Sequence, residues 1–526
     1  MPESQDNESG SLFPFTPADR GTQHFAPGIS LDQVTIDPQT VQLIPIEKAI
    51  QYRMLPLSRN GSRLQLAMAD PEDLQALENA ALITGMKIEP VAMERRDLEA
   101  ALSYYGQLAM SAALDRDLQT GPGAYTPGNG AEEPADPVLA DDPVVKLVQS
   151  LLNQAVASGA SDIHLEPLDT KLRVRMRIDG LLVETALLPQ QAAPAIGSRI
   201  KVLSGLDISE KRLPQDGRLT SVIDDRRVSF RVSTIPSIHG EKLVLRVLDQ
   251  SRGLLSVEQL GLCGRNRQSF DRLLQRPHGL VLVVGPTGSG KTSTLYAMLQ
   301  HLNSPERNII TLEDPVEYSL PGITQAQVNN RAGFTFVSGL RSLLRSDPDI
   351  IMVGEIRDTE TARLAVHAAL TGHLVLTTLH TTSAAGTVIR LLDMGIEPFL
   401  LASALTGVIS QRLVRSLCTN CRETYVLSGT ARQSLGLGGE PGHFFYRSTG
   451  CHQCRSTGYQ GRIAVQEVME VDSLLRNLII GRVTERELEA AALDSGMVSL
   501  MEDGLDKAKR GLTSIEELLR IICLQP

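Results

Sequence analysis

The 526-residue sequence contains no tryptophan, and aromatic residues make up 4% of it. That scarcity argues against a surface on which nucleic-acid bases stack. Surplus positive charge is missing as well. Against 51 Lys and Arg stand 61 Asp and Glu, a net charge of −10, which speaks against bulk electrostatic binding of nucleic acid. Six cysteines are too few to staple such a chain as a disulfide scaffold. No run approaches the ~18 apolar residues of a membrane-spanning helix. The opening MPESQDNESG has neither the basic start nor the apolar core of a secretory signal. A reducing, cytoplasmic setting is expected, with any membrane attachment peripheral. What remains is an ordinary globular composition, 42% hydrophobic and 21% charged, long enough for three to four domains of roughly 150 residues.

Residues 1–30 are polar and rich in Gly, Pro and Ser, and are expected to form a disordered tail. Over 31–105 short apolar runs such as Leu64–Met68 alternate with helical stretches; in Asp73–Leu82, Leu74, Leu77 and Ala81 share one face. This reads as a small α/β module. A Gly/Pro-rich, acidic stretch over 106–140 reads as a linker. A second domain is expected over 141–250. It opens with an amphipathic helix carrying Val144, Val145, Leu147, Val148, Leu151 and Leu152. In its strand from Lys171 to Asp179, Arg173, Arg175 and Arg177 alternate with Leu172, Val174, Met176 and Ile178. The arginine row is read as a solvated strand face or a subunit contact. A third domain, 255–526, holds the chemistry.

Val281–Val284 is a wholly apolar run, as expected of a parallel strand covered on both faces. It leads into Gly285-Pro286-Thr287-Gly288-Ser289-Gly290-Lys291-Thr292, a full G-x-x-x-x-G-K-[ST] phosphate loop. A helix follows, with Leu295, Met298, Leu299 and Leu302 on one stripe. Glycines let the backbone N–H groups turn toward phosphates, and the helix N-terminus adds positive potential. Lys291 is expected to reach the β- and γ-phosphates and Thr292 to ligate Mg²⁺ of bound ATP.

Two more apolar strands, Asn308–Leu312 and Ile350–Val353, end in Glu313 and Glu355. Acids at the carboxyl ends of strands sit where an open α/β sheet binds its ligand. Hydrolysis needs a carboxylate near Mg²⁺ and a group that orients or deprotonates water. Asp314 and Glu317 read equally well as turn caps. A fourth strand within Thr371–His380 has histidines at both ends, and His380, at the carboxyl end, is placed near the γ-phosphate. Arg341 and Arg345, spaced i and i+4, either neutralise phosphate charge or form a solvated face. Cys418-x-x-Cys421 and Cys451-x-x-Cys454 have the spacing of a structural, four-thiolate Zn²⁺ knuckle. Cys263 and Cys523 stand alone and are expected to be buried and inert.

Together these motifs closely resemble the secretion ATPases of type II secretion and type IV pilus assembly. The resemblance lies in the phosphate loop, an acidic box (Ile310–Glu317), a Gly354-Glu355 form of the Walker B strand (Asp349–Asp358) and a histidine box (Thr371–His380). Lys211–Arg218 and Phe230–Pro236 match as well. It covers ~140–526 strongly and 31–102 more weakly. The tetracysteine element, within 415–460 and followed by C-terminal helices over 470–526, belongs to the assembly and export branch. Tyr318–Val328 and Met394–Ser403 look more like type II secretion than pilus assembly.

The resemblance implies a RecA-like P-loop ATPase core preceded by a PAS-like α/β domain, with ATP bound between them in a homohexamer. The ring would lie on the cytoplasmic face of the bacterial inner membrane. Hydrolysis of ATP would turn a polytopic platform protein and drive pseudopilus assembly. The N-terminal module would dock on a bitopic inner-membrane protein, with acidic phospholipid as a further peripheral contact and no nucleic acid. Arg231 and Arg246 would approach the phosphates beside Arg341 and Arg345, Glu313 would activate water, and Glu355 would serve the Mg²⁺ and water network. A paired leucine-glycine motif, which binds a cyclic dinucleotide in some relatives, is not found here in both halves. Two other readings are a DNA-translocating motor, disfavoured by charge, composition and the histidine box, and a non-hydrolysing ATP-gated scaffold, disfavoured by intact Lys291, Thr292, Glu313 and Glu355.

Overall fold

The computed structural model describes residues 40, 43–94, 97–98, 101–102, 143–248, 254–435 and 444–522. The expected tail, the linker and Cys523 lie outside them. The chain divides into two compact units, Met1–Ala109 and Met110–Pro526.

In the first unit, β1 (Met54–Asn60) pairs antiparallel with β2 (Arg63–Met68), which runs parallel to β3 (Lys87–Ala92). The crossover between β2 and β3 is helix α1 (Leu74–Thr84). The Asp73 side chain caps its N-terminus, and Gly85 ends it in the left-handed region. Its buried stripe is Ala76 and Ala80 with Leu77 alongside, whereas Leu74 is exposed. The expected Leu74/Leu77/Ala81 face is thus rotated toward small residues, which let the helix lie close to the sheet.

The second unit begins with α2 (Pro143–Ser158), whose Leu147, Val148, Leu151 and Leu152 pack on a six-stranded sheet. Its order is β6-β5-β4-β9-β8-β7, with β4 (Asp162–Pro167), β5 (Lys171–Ile178), β6 (Leu181–Pro189), β7 (Gln215–Ile223), β8 (Arg226–Ser237) and β9 (Gly240–Leu248). The alternation in β5 is realised: Leu172, Val174 and Met176 are buried under α2. The arginines on the other face meet acids of β4, because register sets Arg173 opposite Glu166 and Arg177 opposite Asp162. The face expected to be solvated or a subunit contact is part-exposed and ion-paired.

The same unit continues into a seven-stranded sheet of order β12-β11-β13-β14-β10-β15-β18. Its strands are β10 (Gly279–Val284), β11 (Ile309–Glu313), β12 (Thr324–Gln327), β13 (Ile350–Val353), β14 (Leu374–Leu379), β15 (Leu405–Leu417) and β18 (Tyr459–Glu470). All neighbours are parallel except β15 and β18. Separate apolar cores lie on its two faces, so β10, an interior strand, is buried along its whole length. The hairpin β16 (Arg422–Val426) and β17 (Phe444–Ser448) rises between β15 and β18. Helices at 473–480, 485–494, 500–509 and 515–522 close the chain. Among the described residues no helix is long and apolar enough to cross a membrane.

Candidate nucleotide site

The phosphate loop leaves β10 and enters helix α3 (Lys291–Leu302). Gly285, Gly288 and Gly290 all have positive φ. At Gly285 a Cβ would lie 2.5 Å from the Gln411 carbonyl oxygen, so glycine is required by space as well as by backbone angle. The Lys291 ammonium donates to the carbonyls of Gly285 (2.7 Å) and Pro286 (3.1 Å), inside the curl of its own loop. Burial lowers its pKa, and nearby Glu355 works the other way. The Ser289 hydroxyl is buried without a hydrogen-bond partner. A curled loop holding a part-buried cation and an orphaned hydroxyl suits a phosphate ligand.

Three groups meet above this loop at the carboxyl ends of β13 and β14. His380 Nδ1 lies 3.4 Å from the Lys291 ammonium, and His380 Nε2 lies 3.3 Å from Glu355 Oε2. Arg357 donates to Glu355 Oε1 at 2.5 Å. Burial pushes the Glu355 carboxyl up, but Arg357 and then His380 outweigh it and hold the group below the usual range.

Glu313 is engaged differently. It is 3% exposed, and its Oε1 accepts from Thr311 (2.6 Å) and Gln325 (3.0 Å), while Oε2 accepts from the Tyr296 hydroxyl. Tyr296, on α3, also accepts from the Glu317 N–H at 3.3 Å. Burial, then Glu313, push the Tyr296 hydroxyl pKa well up. Three donors on one buried carboxylate leave it few free lone pairs. Asp314 and Glu317 both line the site.

A cleft of about 760 Å³ opens over the loop, and the six-stranded sheet supplies its far wall. Arg246, Arg177 and Asp162 reach it from that sheet, Arg462 from β18. Asp162 holds Arg246 at 3.0 Å and Arg177 at 3.7 Å. Of the four arginines expected near phosphate, Arg246 alone lines the cleft. Arg231 is its register partner on β8, on the same face of the sheet, but is not among the residues that line the cleft. The helix carrying Arg341 ends at Leu343, so Arg345 lies beyond it and donates to the Arg341 carbonyl (2.8 Å), while Arg341 pairs with Glu360. His373 is at the far end of β14, bonded to Ala368 and Thr371. Sequence reasoning missed Tyr296, Gln325, Arg357 and Arg177; for Arg177, the β5 alternation was the available signal.

The four cysteines converge at the neck of the β16–β17 hairpin, with all sulfurs within 4.8 Å of one another. Three sulfur pairs lie 3.7–3.8 Å apart. Tetrahedral zinc with Zn–S bonds of ~2.3 Å has edges of ~3.8 Å. The backbone N–H groups of Cys451 and Gly458 point at Cys454 Sγ, both at 3.1 Å, and the Asn420 amide points at Cys451 Sγ. That amide draws the Cys451 thiol down to about 6, while burial and the neighbouring sulfurs push Cys421 up to about 12. The donor set fits Zn²⁺. Cys263 is part-exposed, beside Asp503 and Asp506.

A family model described as "Type II/IV secretion system protein" matches residues 138–520, and one described as "MshEN domain" matches 24–112. The type II secretion system ATPase E of Vibrio cholerae is 41% identical over 502 residues, spanning 93% of this chain and 99% of that protein. The type IV pilus assembly ATPase PilB of Myxococcus xanthus is 42% identical over 509 residues, spanning 94% of this chain and 89% of its own. The solved structure of the Legionella pneumophila ATPase DotB, 21% identical, covers 74% of this chain and 96% of its own with a TM-score of 0.53, a likeness of fold.

Proposed function

The chain belongs to the type II/IV secretion system protein family, and we propose on that footing that it works as a ring-forming motor of type II secretion. It is an ATPase whose hydrolysis serves secretion. The branch assignment rests on the relatives named for type II secretion, the hexamer on kinship alone. The ring would drive pseudopilus assembly through a polytopic inner-membrane platform protein. Its N-terminal module would dock on a bitopic partner at the cytoplasmic face of that membrane, in contact with acidic phospholipid. The pilus-assembly reading is kept by the similar identity to PilB.

Hydrolysis follows from the chain's own groups. Gly285–Thr292 would hold the phosphates, and Lys291 would leave its loop carbonyls for the β- and γ-phosphates. The Thr292 hydroxyl would hold Mg²⁺, which when bound neutralises charge between those phosphates. The difference in exposure favours exchanging the two glutamate roles expected from the sequence. Glu313 is buried under three donors and would act as a fixed anion, whereas the Glu355 side chain, 20% exposed to the cleft beside its Arg357 and His380 partners, would take the proton of the attacking water. The water oxygen bonds to the γ-phosphorus as the bond to the β–γ bridging oxygen breaks, with His380 beside the departing charge. Arg246 and Arg177, released from Asp162, are the cations of the far wall. Zn²⁺, held by Cys418, Cys421, Cys451 and Cys454, would be structural, because four thiolates leave no open position.

The observation that carries this reading is the contiguous Lys291–His380–Glu355 set over an intact phosphate loop. ATP turnover measured against protein concentration, with acidic phospholipid, tests it. Turnover should rise steeply with concentration, vanish in Lys291→Ala and fall further in Glu355→Gln than in Glu313→Gln. Zero turnover in a forced hexamer would sink the motor reading. Tight duplex binding at ~0.15 M salt would favour the DNA motor.

A further inference from the structure

Strand β15 breaks its own apolar pattern at Ser410, Gln411 and Arg412, all three buried in the middle of the strand. Gln411, 1% exposed, faces the phosphate loop. Its Nε2 donates to the Ser289 carbonyl at 2.7 Å, and its Oε1 accepts from the Thr294 hydroxyl at 2.8 Å. It thus binds both the loop and the first turn of the helix after it. Arg412, 6% exposed, faces the other way. Its guanidinium donates to the Gln411 carbonyl at 3.0 Å and to the Thr382 carbonyl at 2.7 Å, and the Ser410 hydroxyl also reaches Thr382, at 3.3 Å. Thr382 is two residues past His380.

A buried arginine that donates to backbone carbonyls is an expensive way to fill a sheet, and apolar residues of similar volume do so more cheaply. What the arginine supplies is a rigid planar fork with fixed donor directions. Here the fork ties the backbone of Gln411, the residue that holds the phosphate loop, to the segment just past His380.

Building on the hydrolytic reading above, we propose that Gln411 and Arg412 are positioning residues for ATP hydrolysis. Gln411 sets the phosphate loop, Arg412 sets the His380–Thr382 segment, and one strand thereby registers the two walls of the phosphate site. Neither side chain lines the cleft, so both act through the groups they hold.

The test is a cycle of Arg412→Gln and His380→Ala in the full, zinc-loaded chain, read as kcat, as Kd for a fluorescent ATP analogue and as melting temperature. Arg412→Gln should lower kcat about tenfold in the parent and less than about twofold in His380→Ala, with Kd changed less than about twofold in either. Gln411→Leu should instead weaken analogue binding by about tenfold or more. Equal losses from Arg412→Gln in both backgrounds, with His380→Ala itself impaired, would overturn this proposal and leave the hydrolytic reading intact. Full turnover in His380→Ala would overturn both, since Arg412 would then have nothing to position. Should Arg412→Gln not fold, Arg412→Lys, which keeps the charge but not the fork, should give an intermediate kcat; parent kcat in that variant would refute the role of the fork.

Discussion

Replacing Tyr296 by phenylalanine removes one oxygen from the most crowded hydrogen-bonding corner of the nucleotide site. The ring is 1% exposed and packs edge-on against Tyr318, with centroids 6.2 Å apart, and phenylalanine keeps that packing. What is lost is the donor to Glu313 Oε2 and the acceptor of the Glu317 N–H. A hydrogen bond to a charged, buried group contributes about 1.5–3 kcal/mol, and the missing oxygen admits no water to replace it, so a loss of about 2 kcal/mol is expected. For a cooperative unit of 150–250 residues that is a fall of about 4–8 °C in melting temperature. The assay is a thermal melt of parent and variant, repeated in Glu313→Gln. There the acceptor is neutral, and the same substitution should cost about half as much, since neutral hydrogen bonds contribute about 0.5–1.5 kcal/mol. A drop below about 1 °C, or an identical drop in both backgrounds, would refute the view that this hydroxyl serves a buried carboxylate.

Three further outcomes are expected. Glu166, 8% exposed, is pushed up by burial but held at about 2 by Arg175, Lys242 and Arg173 together. Its folded pKa is depressed, so its stabilisation is complete above about 4.5 and is lost as pH falls toward 2. The open sheet face and solvated cations trim that contribution to about 2 kcal/mol, and the melting difference between parent and Glu166→Gln should shrink across that window. Lys507→Met leaves the buried Asp503 carboxylate without its cation at 2.6 Å and should cost about 3–5 kcal/mol by denaturant unfolding; a cost under about 1 kcal/mol would show the pair is not desolvated. Metal analysis should find one Zn²⁺ per chain, absent in Cys451→Ser, whose melting temperature should fall with it.

The parts legible in the sequence are those whose chemistry is local. The phosphate loop carries its own turn, cation and helix within eight positions, and each CxxC pair presents two ligands on one turn. Glu355 and His380 were legible because an apolar strand announces its carboxyl end. Gln411 is not legible, since its partners Ser289 and Thr294 lie more than a hundred residues away and meet it only because β10 sits between β14 and β15, an order that no periodicity reveals. Nor is Tyr296, because its apolar helical stripe gives no sign that its hydroxyl meets Glu313 at the end of β11. Arg173, Arg175 and Arg177 show why register matters. Their common face could be read from the alternation, but their partners are fixed by β4 lying opposite, which places an acid against the first and last of them. Arg345 falls outside the expected helix because that helix stops two residues short of it, with Leu344 as its C-cap.

The chain leaves the ATPase sheet at Leu417 and re-enters it at Tyr459, and those two residues are partners across β15 and β18. Everything between is a detour whose exit and entrance are stitched together by the sheet and gathered at the four converging sulfurs of Cys418, Cys421, Cys451 and Cys454. The entropy of closing such a loop grows only with the logarithm of its length, each doubling costing about 0.6 kcal/mol. A reporter domain spliced between the helix Gly429–Ser434 and β17 therefore meets an already fastened doorway, which makes this stretch a natural port for a fluorophore or an affinity handle on a working motor.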